Sequence, residues 1–336
     1  MVPPPVSVLE LASGFMTTQL LYAVARLGVA DVLGVRSLPA DEVAAELGTS
    51  PDATYRLLRA CAAAGILRED SAHRFSTTPL GDQLRSGPGS VRPVVLMLSD
   101  PGYQAVWGRL PQSVTTGTPA AGAVFGRSMW EQLDEDREFG TVFDEAMTRL
   151  TELDWPAIAA AHDFTGVGTV VDVGGGRGRL LSLVLGAAPD AKGVLLEREA
   201  VAVRAREHLR SAGVLDRCRV EVGSFFESVP SDGDLYLLRR VVHDLDDEDA
   251  VDLLTTVRTH MPRHARLLLV ECVVAEHSPS PFATSLDLDM LLFVGGRERT
   301  QAQLAGLLDR AGLRLTRVVP TISPVSLVEA VPGRHG

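Results

Sequence analysis

Residues 171–181 read VDVGGGRGRLL, and this stretch predicts a buried strand, a tight glycine turn and the start of a helix. The apolar run Val167–Val173 predicts the strand, and Arg179–Gly186 predicts the helix. A turn made of glycines lets a ligand approach the bare backbone, and the N–H groups at the start of the helix are free to bind it. The stretch therefore predicts a site for a nucleotide-like ligand beside the end of a strand.

Three ligand classes use this strand–turn–helix layout, and the residues around the glycines distinguish them. A dinucleotide turn, G-x-G-x-x-G, would need glycine at position 179, where this chain has Arg. A P-loop would need a Lys after the glycines, and none follows. Asp172 at the strand end would repel a pyrophosphate, but it suits a ligand with an amino group.

A second acid further along the chain narrows the choice of ligand. Glu197 follows another apolar run about 20 residues past the turn, where an acid can accept hydrogen bonds from both hydroxyls of a ribose. A ligand with a ribose, an amino group and no phosphate is S-adenosylmethionine, which becomes S-adenosylhomocysteine after methyl transfer. A glycine turn with a purely structural role is the alternative explanation.

The composition of the chain limits its class and its partners. A length of 336 residues allows two domains, and 46% hydrophobic residues with mixed charge indicate a folded protein. The formal net charge of −11 argues against nucleic-acid binding, which needs clustered Lys and Arg. We therefore expect no nucleic-acid partner.

Cysteine usage and the first residues indicate the cellular compartment. Cys61, Cys218 and Cys272 lie far apart, which is typical of reduced thiols in a cytoplasmic protein, and no His or Cys cluster has metal-ligand spacing. Residues 1–10 lack the basic region of a signal peptide, and no run of about 18 unbroken apolar residues occurs. We expect a cytoplasmic protein without a membrane partner or a catalytic metal.

The first 90 residues predict a mainly helical unit with a small wing. Two helices and two short strands are expected over Leu38–Leu47, Pro51–Ala64, Ile66–Asp70 and His73–Ser76. Such a helix–turn–helix with a wing serves either DNA binding or dimerisation. The second helix offers only Arg56 and Arg59 for base readout and phosphate contacts. We therefore predict a winged-helix-like dimerisation domain over residues 1–90.

Residues 91–154 predict a helical linker rich in aromatic residues and methionine, some of which are placed to line a pocket for a flat acceptor. From residue 155 to 336, predicted strands alternate with helices, which indicates an α/β fold with a doubly wound, Rossmann-like parallel sheet. The strands are expected at Val167–Val173, Gly193–Glu197, Arg219–Val222, Asp234–Arg239 and Arg266–Cys272, followed by a hairpin of Arg314–Val318 and Ser326–Val331. Asp172, Glu197, Arg239 and Glu271 lie at strand ends, so we expect them in one crevice.

Segment 234–248, DLYLLRRVVHDLDDE, places a histidine just past a predicted strand end. His243 can take a proton from a hydroxyl near neutral pH, and a phenol needs this help because it is largely protonated at pH 7. A carboxylate would orient the imidazole, and either Glu271 or Glu298 could serve. A helix-capping or solvent-exposed histidine is the alternative.

Six motifs occur in order along the chain: VDVGGGRGRLL, LLEREAV, GSFFESVP, LLRRVVHDLDDEDAVDLL, LLLVECVV and GGRERTQAQLAGLLDRAGL. Together they resemble the class I S-adenosylmethionine-dependent O-methyltransferases of the plant caffeic acid type and their bacterial natural-product relatives. The resemblance covers essentially the whole chain, including the winged-helix front half. It implies methyl transfer to a hydroxyl, expected to be phenolic, of a small aromatic or polyketide acceptor by a homodimer formed through the N-terminal domain.

The resemblance also implies roles for individual residues. Glu197 takes the ribose diol where the family more often has Asp, and Ser224 replaces the usual Asp at the adenine amino group. His243 matches the general base, although the Trp of the family's HDW motif is Leu245 here, and Glu271 and Glu298 match the flanking carboxylates. The implied cofactor residues are Asp172, Gly174, Gly175, Gly176, Glu197, Ser224, Phe225 and Arg239. The implied acceptor residues are Phe143, Met147, Asp244, Asp289, Met290 and Phe293.

Two other functions stay open at this point. The first is a relative with the same fold and cofactor that catalyses hydroxylation or decarboxylation, and His243 argues against it. The second is a non-enzymatic winged-helix regulator that senses the cofactor. The weakly basic second helix and the histidine both argue against this regulator.

Overall fold

The computed structural model describes residues 3–333, which divide into two units. The first unit comprises the chain up to Ala105 together with Glu138–Arg149, and the second comprises Val106–Arg137 and the chain from Leu150 onward. The predicted linker, residues 91–154, is helical and is divided between the two units. Each unit has a hydrophobic core of its own.

The first unit is a set of short helices around a three-stranded sheet. Its elements are α1 (Pro4–Ala12), α2 (Gly14–Leu27), α3 (Val29–Leu33), β1 (Leu38–Pro39), α4 (Ala40–Leu47), α5 (Pro51–Ala63), β2 (Leu67–Glu69), β3 (Arg74–Thr77), α6 (Pro79–Asp82), α7 (Arg92–Leu98) and most of α8 (Pro101–Trp107), whose last two residues belong to the second unit. The strands pair in the order β1-β3-β2, so the two-strand wing follows α4 and α5 as the sequence predicted. Leu38–Pro39 is a short strand, because the proline φ of −71° with an extended ψ delays the helix to Ala40.

Further helices lead into the second unit. They are α9 (Leu110–Thr116), α10 (Ala121–Phe125), α11 (Met129–Glu135) and the long α12 (Arg137–Ala161), which contributes residues to both units. Ser128 begins α11 with a capping box, in which its hydroxyl accepts from the Glu131 N–H and the Glu131 carboxylate accepts from the Ser128 N–H.

The second unit is a seven-stranded sheet with helices on both faces. Its strands are β4 (Thr169–Val173), β5 (Lys192–Glu197), β6 (Cys218–Val222), β7 (Leu235–Arg239), β8 (Arg266–Glu271), β11 (Leu313–Pro320) and β12 (Ser326–Pro332), and a separate parallel pair is formed by β9 (Val273–Val274) and β10 (Arg299–Thr300). Its helices are α13 (Arg179–Ala187), α14 (Glu199–Ser211), α15 (Asp247–His260), α16 (Pro281–Phe293) and α17 (Gln301–Arg310).

The strand order is β11-β12-β8-β7-β4-β5-β6, and the five strands from β8 to β6 are parallel. The final hairpin adds β12 antiparallel to β8, with β11 at the edge. The doubly wound sheet is therefore mixed, because a hairpin at the end of the chain can join an edge strand without a helical crossover. The chain order reverses between β4 and β7, which is where ligands bind in such sheets.

Alternating residues of the strands enter two different cores. Val171, Tyr236 and Leu238 pack with α15 and α17 on one face, whereas Val170 and Leu237 pack with α13 and α14 on the other. Side chains of a strand point to opposite faces in turn, so a sheet covered on both faces needs apolar residues at nearly every position. This is why the strands read as unbroken apolar runs.

Candidate active site

The glycine turn joins β4 to α13 with bare backbone on its open side. Gly174 and Gly176 have φ of +68° and +58°, which residues with a Cβ rarely adopt. No described heavy atom lies within 4 Å of where a Cβ would stand on Gly176, so a ligand can approach this residue closely. A Cβ on Gly174 would meet Val241 at 3.2 Å and Phe225 at 3.6 Å.

Asp172 lies beneath this turn and is fully buried. Its carboxylate packs directly under Gly175, where a side chain would collide with it. Neither carboxylate oxygen has a hydrogen-bond partner among residues 3–333. Burial, and then the nearby charge of Glu197, raise the pKa of Asp172 to about 7. A cationic ligand on the turn would offset the free-energy cost of burying an ionised Asp172. Asp172 therefore fits a ligand with an amino group.

Glu197 ends β5 and contacts the same turn. Its Oε2 accepts a hydrogen bond of 3.0 Å from the Gly176 N–H, and its Oε1 accepts one of 2.9 Å from the Arg198 N–H. Phe225 packs against the core beside Gly174 and contacts Phe226. Ser224 follows β6, and its hydroxyl accepts a 3.3 Å hydrogen bond from the Phe226 N–H.

Arg239 at the end of β7 pairs with Asp154, which was not among the predicted site residues. Its Nη2 lies 2.6 Å from Oδ2 of Asp154 on α12, and both side chains are buried. Burial, and then the neighbouring Arg240 charge, lower the pKa of Arg239 to about 10. Asp154 carried no local signal, because its partner lies 85 positions away in the chain.

The chain turns sharply after β7 to present the histidine. Arg240 adopts a left-handed φ of +53°, and the short 3-10 helix Val242–Asp244 follows directly. Glu271 at the end of β8 holds this turn, because its Oε1 accepts hydrogen bonds of 3.1 and 3.0 Å from the Val241 and Val242 N–H groups. Burial raises the pKa of Glu271.

His243 is buried and contacts carboxylates at both ring nitrogens. Its Nδ1 lies 2.7 Å from Oε1 of Glu298 and 3.9 Å from Oε2 of Glu271, while its Nε2 lies 3.4 Å from Oδ1 of Asp244. Burial raises the pKa of Glu298 to about 8 and that of Asp244 to about 7. When Glu298 is ionised, it accepts the Nδ1 proton of the imidazole, and the Nε2 lone pair is then available to accept a proton. This contact argues against a solvent-exposed or capping histidine.

The segment that carries Glu298 is tied to the histidine turn by its neighbours. A Cβ on Gly296 would collide with the backbone oxygen of His243, so only glycine lets the two segments approach. The guanidinium of Arg299 is almost fully buried and donates hydrogen bonds of 2.8 Å to the Val242 and Leu245 carbonyls, as well as contacting Asp247. Arg299 therefore ties the segment that carries Glu298 to the turn that carries His243, and the sequence pattern gave no signal for this contact.

The predicted acceptor residues are in two groups. Met290 and Phe293 lie on α16 and are mostly buried, and Asp289 accepts a 2.8 Å hydrogen bond from the indole N–H of Trp107. Phe143 and Met147 belong to the part of α12 within the first unit. Their role in an acceptor pocket stays a prediction.

Comparisons with known proteins identify the family of the chain. Residues 107–314 match the O-methyltransferase domain, and residues 9–86 match the O-methyltransferase dimerisation domain. The chain belongs to this O-methyltransferase family. The predicted family, the enzyme class and the α/β fold with a helical N-terminal dimerisation domain are therefore confirmed.

Curated relatives of this O-methyltransferase come from bacterial natural-product biosynthesis. The chain is 39% identical to phenazine O-methyltransferase of Lysobacter antibioticus, covering 98% of this chain and 97% of that protein. It is 41% identical to O-demethylpuromycin-O-methyltransferase of Streptomyces alboniger, covering 97% and 88%. It is also 37% identical to 8-amino-8-demethylriboflavin N,N-dimethyltransferase of Streptomyces davaonensis, covering 92% and 90%, so the relatives include a methyltransferase named for nitrogen.

Solved structures match over nearly the full chain. The mitomycin 7-O-methyltransferase MmcR has a TM-score of 0.92 at 34% identity, covering 98% of each chain. The neocarzinostatin O-methyltransferase NcsB1, solved with S-adenosylmethionine and 2-hydroxy-5-methyl naphthoic acid, has a TM-score of 0.81 at 35% identity, covering 94% and 96%. The predicted use of S-adenosylmethionine is confirmed for the family.

Proposed function

We propose that this enzyme transfers the methyl group of S-adenosylmethionine to a phenolic hydroxyl of a small aromatic natural product, with His243 as the general base. The observation that carries the proposal is the buried contact of 2.7 Å between His243 Nδ1 and Glu298. This contact orients the ring and directs the Nε2 lone pair away from Glu298. Relatives acting on phenazine, naphthoate and hydroxybenzoate support an aromatic acceptor.

The cofactor is assigned to the glycine turn. Gly174, Gly175 and Gly176 would hold its methionine part, Glu197 the ribose, and Phe225 and Ser224 the adenine. The buried, unpaired carboxylate of Asp172 supports a cationic ligand above the turn. When bound, the cofactor supplies a methyl group on a sulfonium sulfur. Arg239 would lie near the cofactor, as the family resemblance implies, and its pairing with Asp154 would hold it there.

The proton transfer is assigned to His243 and its carboxylates. Nε2 accepts the proton of the hydroxyl as the oxygen becomes the nucleophile, and the ring becomes an imidazolium. Ionised Glu298 stabilises this cation at Nδ1, and Asp244 lies 3.4 Å from Nε2, where it can accept from the new N–H. Glu271 holds the backbone of the turn, so its contribution to the imidazole is indirect.

A His243→Ala variant tests the base. We expect kcat for a phenolic acceptor to fall by about 10²–10⁴-fold, because a positioned base contributes that much. The dissociation constant for S-adenosylhomocysteine should stay within roughly threefold of wild type, because His243 is assigned to the acceptor side of the reaction. The assay follows labelled methyl groups into a panel of phenols, hydroxynaphthoates, hydroxyphenazines and arylamines, with calorimetry for S-adenosylhomocysteine.

A matched control is His264→Ala, which removes an exposed histidine paired with Asp234. It should behave as wild type in both measurements. Unchanged labelling in the His243→Ala variant would refute the base assignment. Conversion of an acceptor without label in the product would favour the hydroxylase or decarboxylase relative. Labelling confined to arylamine acceptors would instead place the enzyme with the N-methyltransferases.

We further propose a cytoplasmic homodimer formed through the first unit, with no nucleic-acid or membrane partner. The match to the dimerisation domain over residues 9–86 supports the dimer. The net charge of −11 supports the absence of nucleic-acid binding. The boundaries proposed for the three regions remain 1–90, 91–154 and 155–336.

A further inference from the structure

Three side chains around the proposed base form a potential metal-ligand set. His243, Glu271 and Glu298 are all buried, and each offers one ligand atom within 4.8 Å of the others. Nδ1 of His243 lies 2.7 Å from the nearer Glu298 oxygen and 3.9 Å from the nearer Glu271 oxygen. The sequence predicted no metal site, because these residues are far apart in the chain and have no ligand spacing.

Two oxygens of this set are buried without a partner. Oε2 of Glu271 and Oε2 of Glu298 have no hydrogen bond to any residue from 3 to 333, and their side chains are at most 3% exposed. Buried carboxylate oxygens without partners are costly, so they point to a ligand that carries positive charge. Metal binding would release any proton held by these two side chains, and the two carboxylates would then balance the charge of one divalent cation.

The distances suit a small tetrahedral ion. Zn²⁺ bonds of about 2.0–2.2 Å to nitrogen and oxygen place neighbouring ligand atoms about 3.3 Å apart. The 2.7 Å contact would lengthen and the 3.9 Å contact would shorten, each by roughly half an ångström. Three protein ligands would leave the fourth position open, as in zinc sites that bind a further ligand.

We propose that His243, Glu271 and Glu298 bind a divalent cation of the Zn²⁺ type, and that this ion inhibits methyl transfer. The inhibition rests on the proposed function. A metal bound at Nδ1 requires the single proton of the neutral imidazole to sit on Nε2. The Nε2 atom then has no lone pair for the acceptor hydroxyl. His243 therefore cannot bind the metal at Nδ1 and act as a base at Nε2 at the same time.

Binding is tested on the full-length protein without cofactor or acceptor. Co²⁺, used as a spectroscopic probe for Zn²⁺, should give the visible absorption bands of a four-coordinate ion, and calorimetry should show one Zn²⁺ bound per chain. The Glu271→Gln/Glu298→Gln variant should lose these bands and bind Zn²⁺ at least tenfold more weakly. The His243→Asn variant should do the same and keeps the proposal testable if the double variant fails to fold, which circular dichroism checks.

Two control variants separate this site from other Zn²⁺ ligands. His264→Asn removes an exposed histidine, and Cys218→Ser removes a half-buried thiol. Both should bind one Zn²⁺ as wild type does. Equal affinity in His243→Asn and wild type, or no Zn²⁺ binding by wild type, would overturn the site.

Inhibition is measured separately from binding. One equivalent of Zn²⁺ should reduce wild-type turnover at least tenfold, and EDTA should restore it. Zn²⁺ that binds at these residues without reducing turnover would overturn the inhibitory role. If His243→Ala retains full O-methylation, the proposed base fails, and the Co²⁺ spectrum still decides whether the metal site exists.

Discussion

Glu298 shows how burial changes the chemistry of a single residue. Its carboxyl lies against His243 and is held away from water, which raises its pKa to about 8. The unfolded value is about 4.3, so the folded protein binds this proton more tightly than the unfolded chain does. The resulting stabilisation is complete below the unfolded pKa and is lost as the pH rises through the folded pKa.

A Glu298→Gln variant should therefore have a flatter stability profile. Between pH 6 and pH 9, the Tm of the ligand-free wild type should fall by roughly 2–5 °C more than that of the variant, because glutamine cannot ionise. Differential scanning calorimetry at fixed ionic strength measures both. The control Glu227→Gln removes an exposed carboxyl and should keep the wild-type slope. If Tm changes with pH equally in Glu298→Gln and in wild type, Glu298 is not a buried carboxyl with a raised pKa.

At the level of elements, the site depends on the short parallel pairing of β9 with β10, which aligns the segment after β8 with the segment that carries Glu298. In the pairing of β9 with β10, Arg299 lies opposite Val273, which brings Glu298 beside the end of β8. Arg299 then reaches back to the 3-10 helix that carries His243. The motif GGRERT thus supplies a glycine for close approach, a carboxylate for the imidazole and a guanidinium for the turn.

Arg299→Lys should weaken catalysis more than folding. A lysine cannot reproduce the planar fork that bonds two carbonyls and Asp247, so the histidine turn loses its fixed position. We expect kcat to fall by about 10–100-fold, since small misplacements carry costs of that order, with S-adenosylhomocysteine affinity within threefold of wild type. Steady-state kinetics and calorimetry test this.

The control for Arg299→Lys is Arg310→Lys. Arg310 forms an exposed pair with Glu248 on the surface, and such pairs contribute little. Its kcat should match that of wild type. If both variants lose activity equally, or neither does, Arg299 has no special positioning role.

At the scale of the whole molecule, a cluster of exposed apolar residues lies at the start of the chain, among them Val8, Leu9 and Leu11. Segment Pro4–Leu27 is long and apolar enough to cross a membrane by length and composition, with a mean hydropathy of 1.3. Helix α1 buries none of its residues: its Leu11 is 82% exposed, and Phe15 at the start of α2 is 59% exposed. An apolar surface of this kind on a folded chain marks an interaction site. The dimerisation-domain match begins at residue 9, which favours a second copy as its partner.

Leu11→Asp/Phe15→Asp should therefore convert a dimer into a monomer. Charged side chains in an apolar interface lose hydration without gaining partners, which costs several kcal/mol for the pair of substitutions. Light scattering after size-exclusion chromatography gives the mass of each species. The control Ile322→Asp changes a fully exposed residue of the second unit and should stay dimeric. A wild-type monomer, or a dimeric double variant, would refute this interface.

Much of the fold could be predicted because its signals are local. The glycine turn, the apolar strands and the helix–turn–helix with its wing depend on residues that are neighbours in sequence, and each predicted strand occurs within two residues of its predicted start. The insertion of β12 between β8 and β11 could not be predicted, because nothing in a hairpin sequence specifies which strand it joins.

The sequence by itself determined the cofactor turn, the strand ends that surround it and the presence of a histidine with candidate carboxylates. Only the tertiary structure decided which carboxylate lies at which atom: Glu298 at Nδ1, Glu271 at the backbone of the turn, and Asp154 at Arg239. Hydrogen bonds act over about 3 Å, whereas these partners lie 29 to 85 positions apart in the chain. Strand order and register bring them together, and neither property belongs to any one segment.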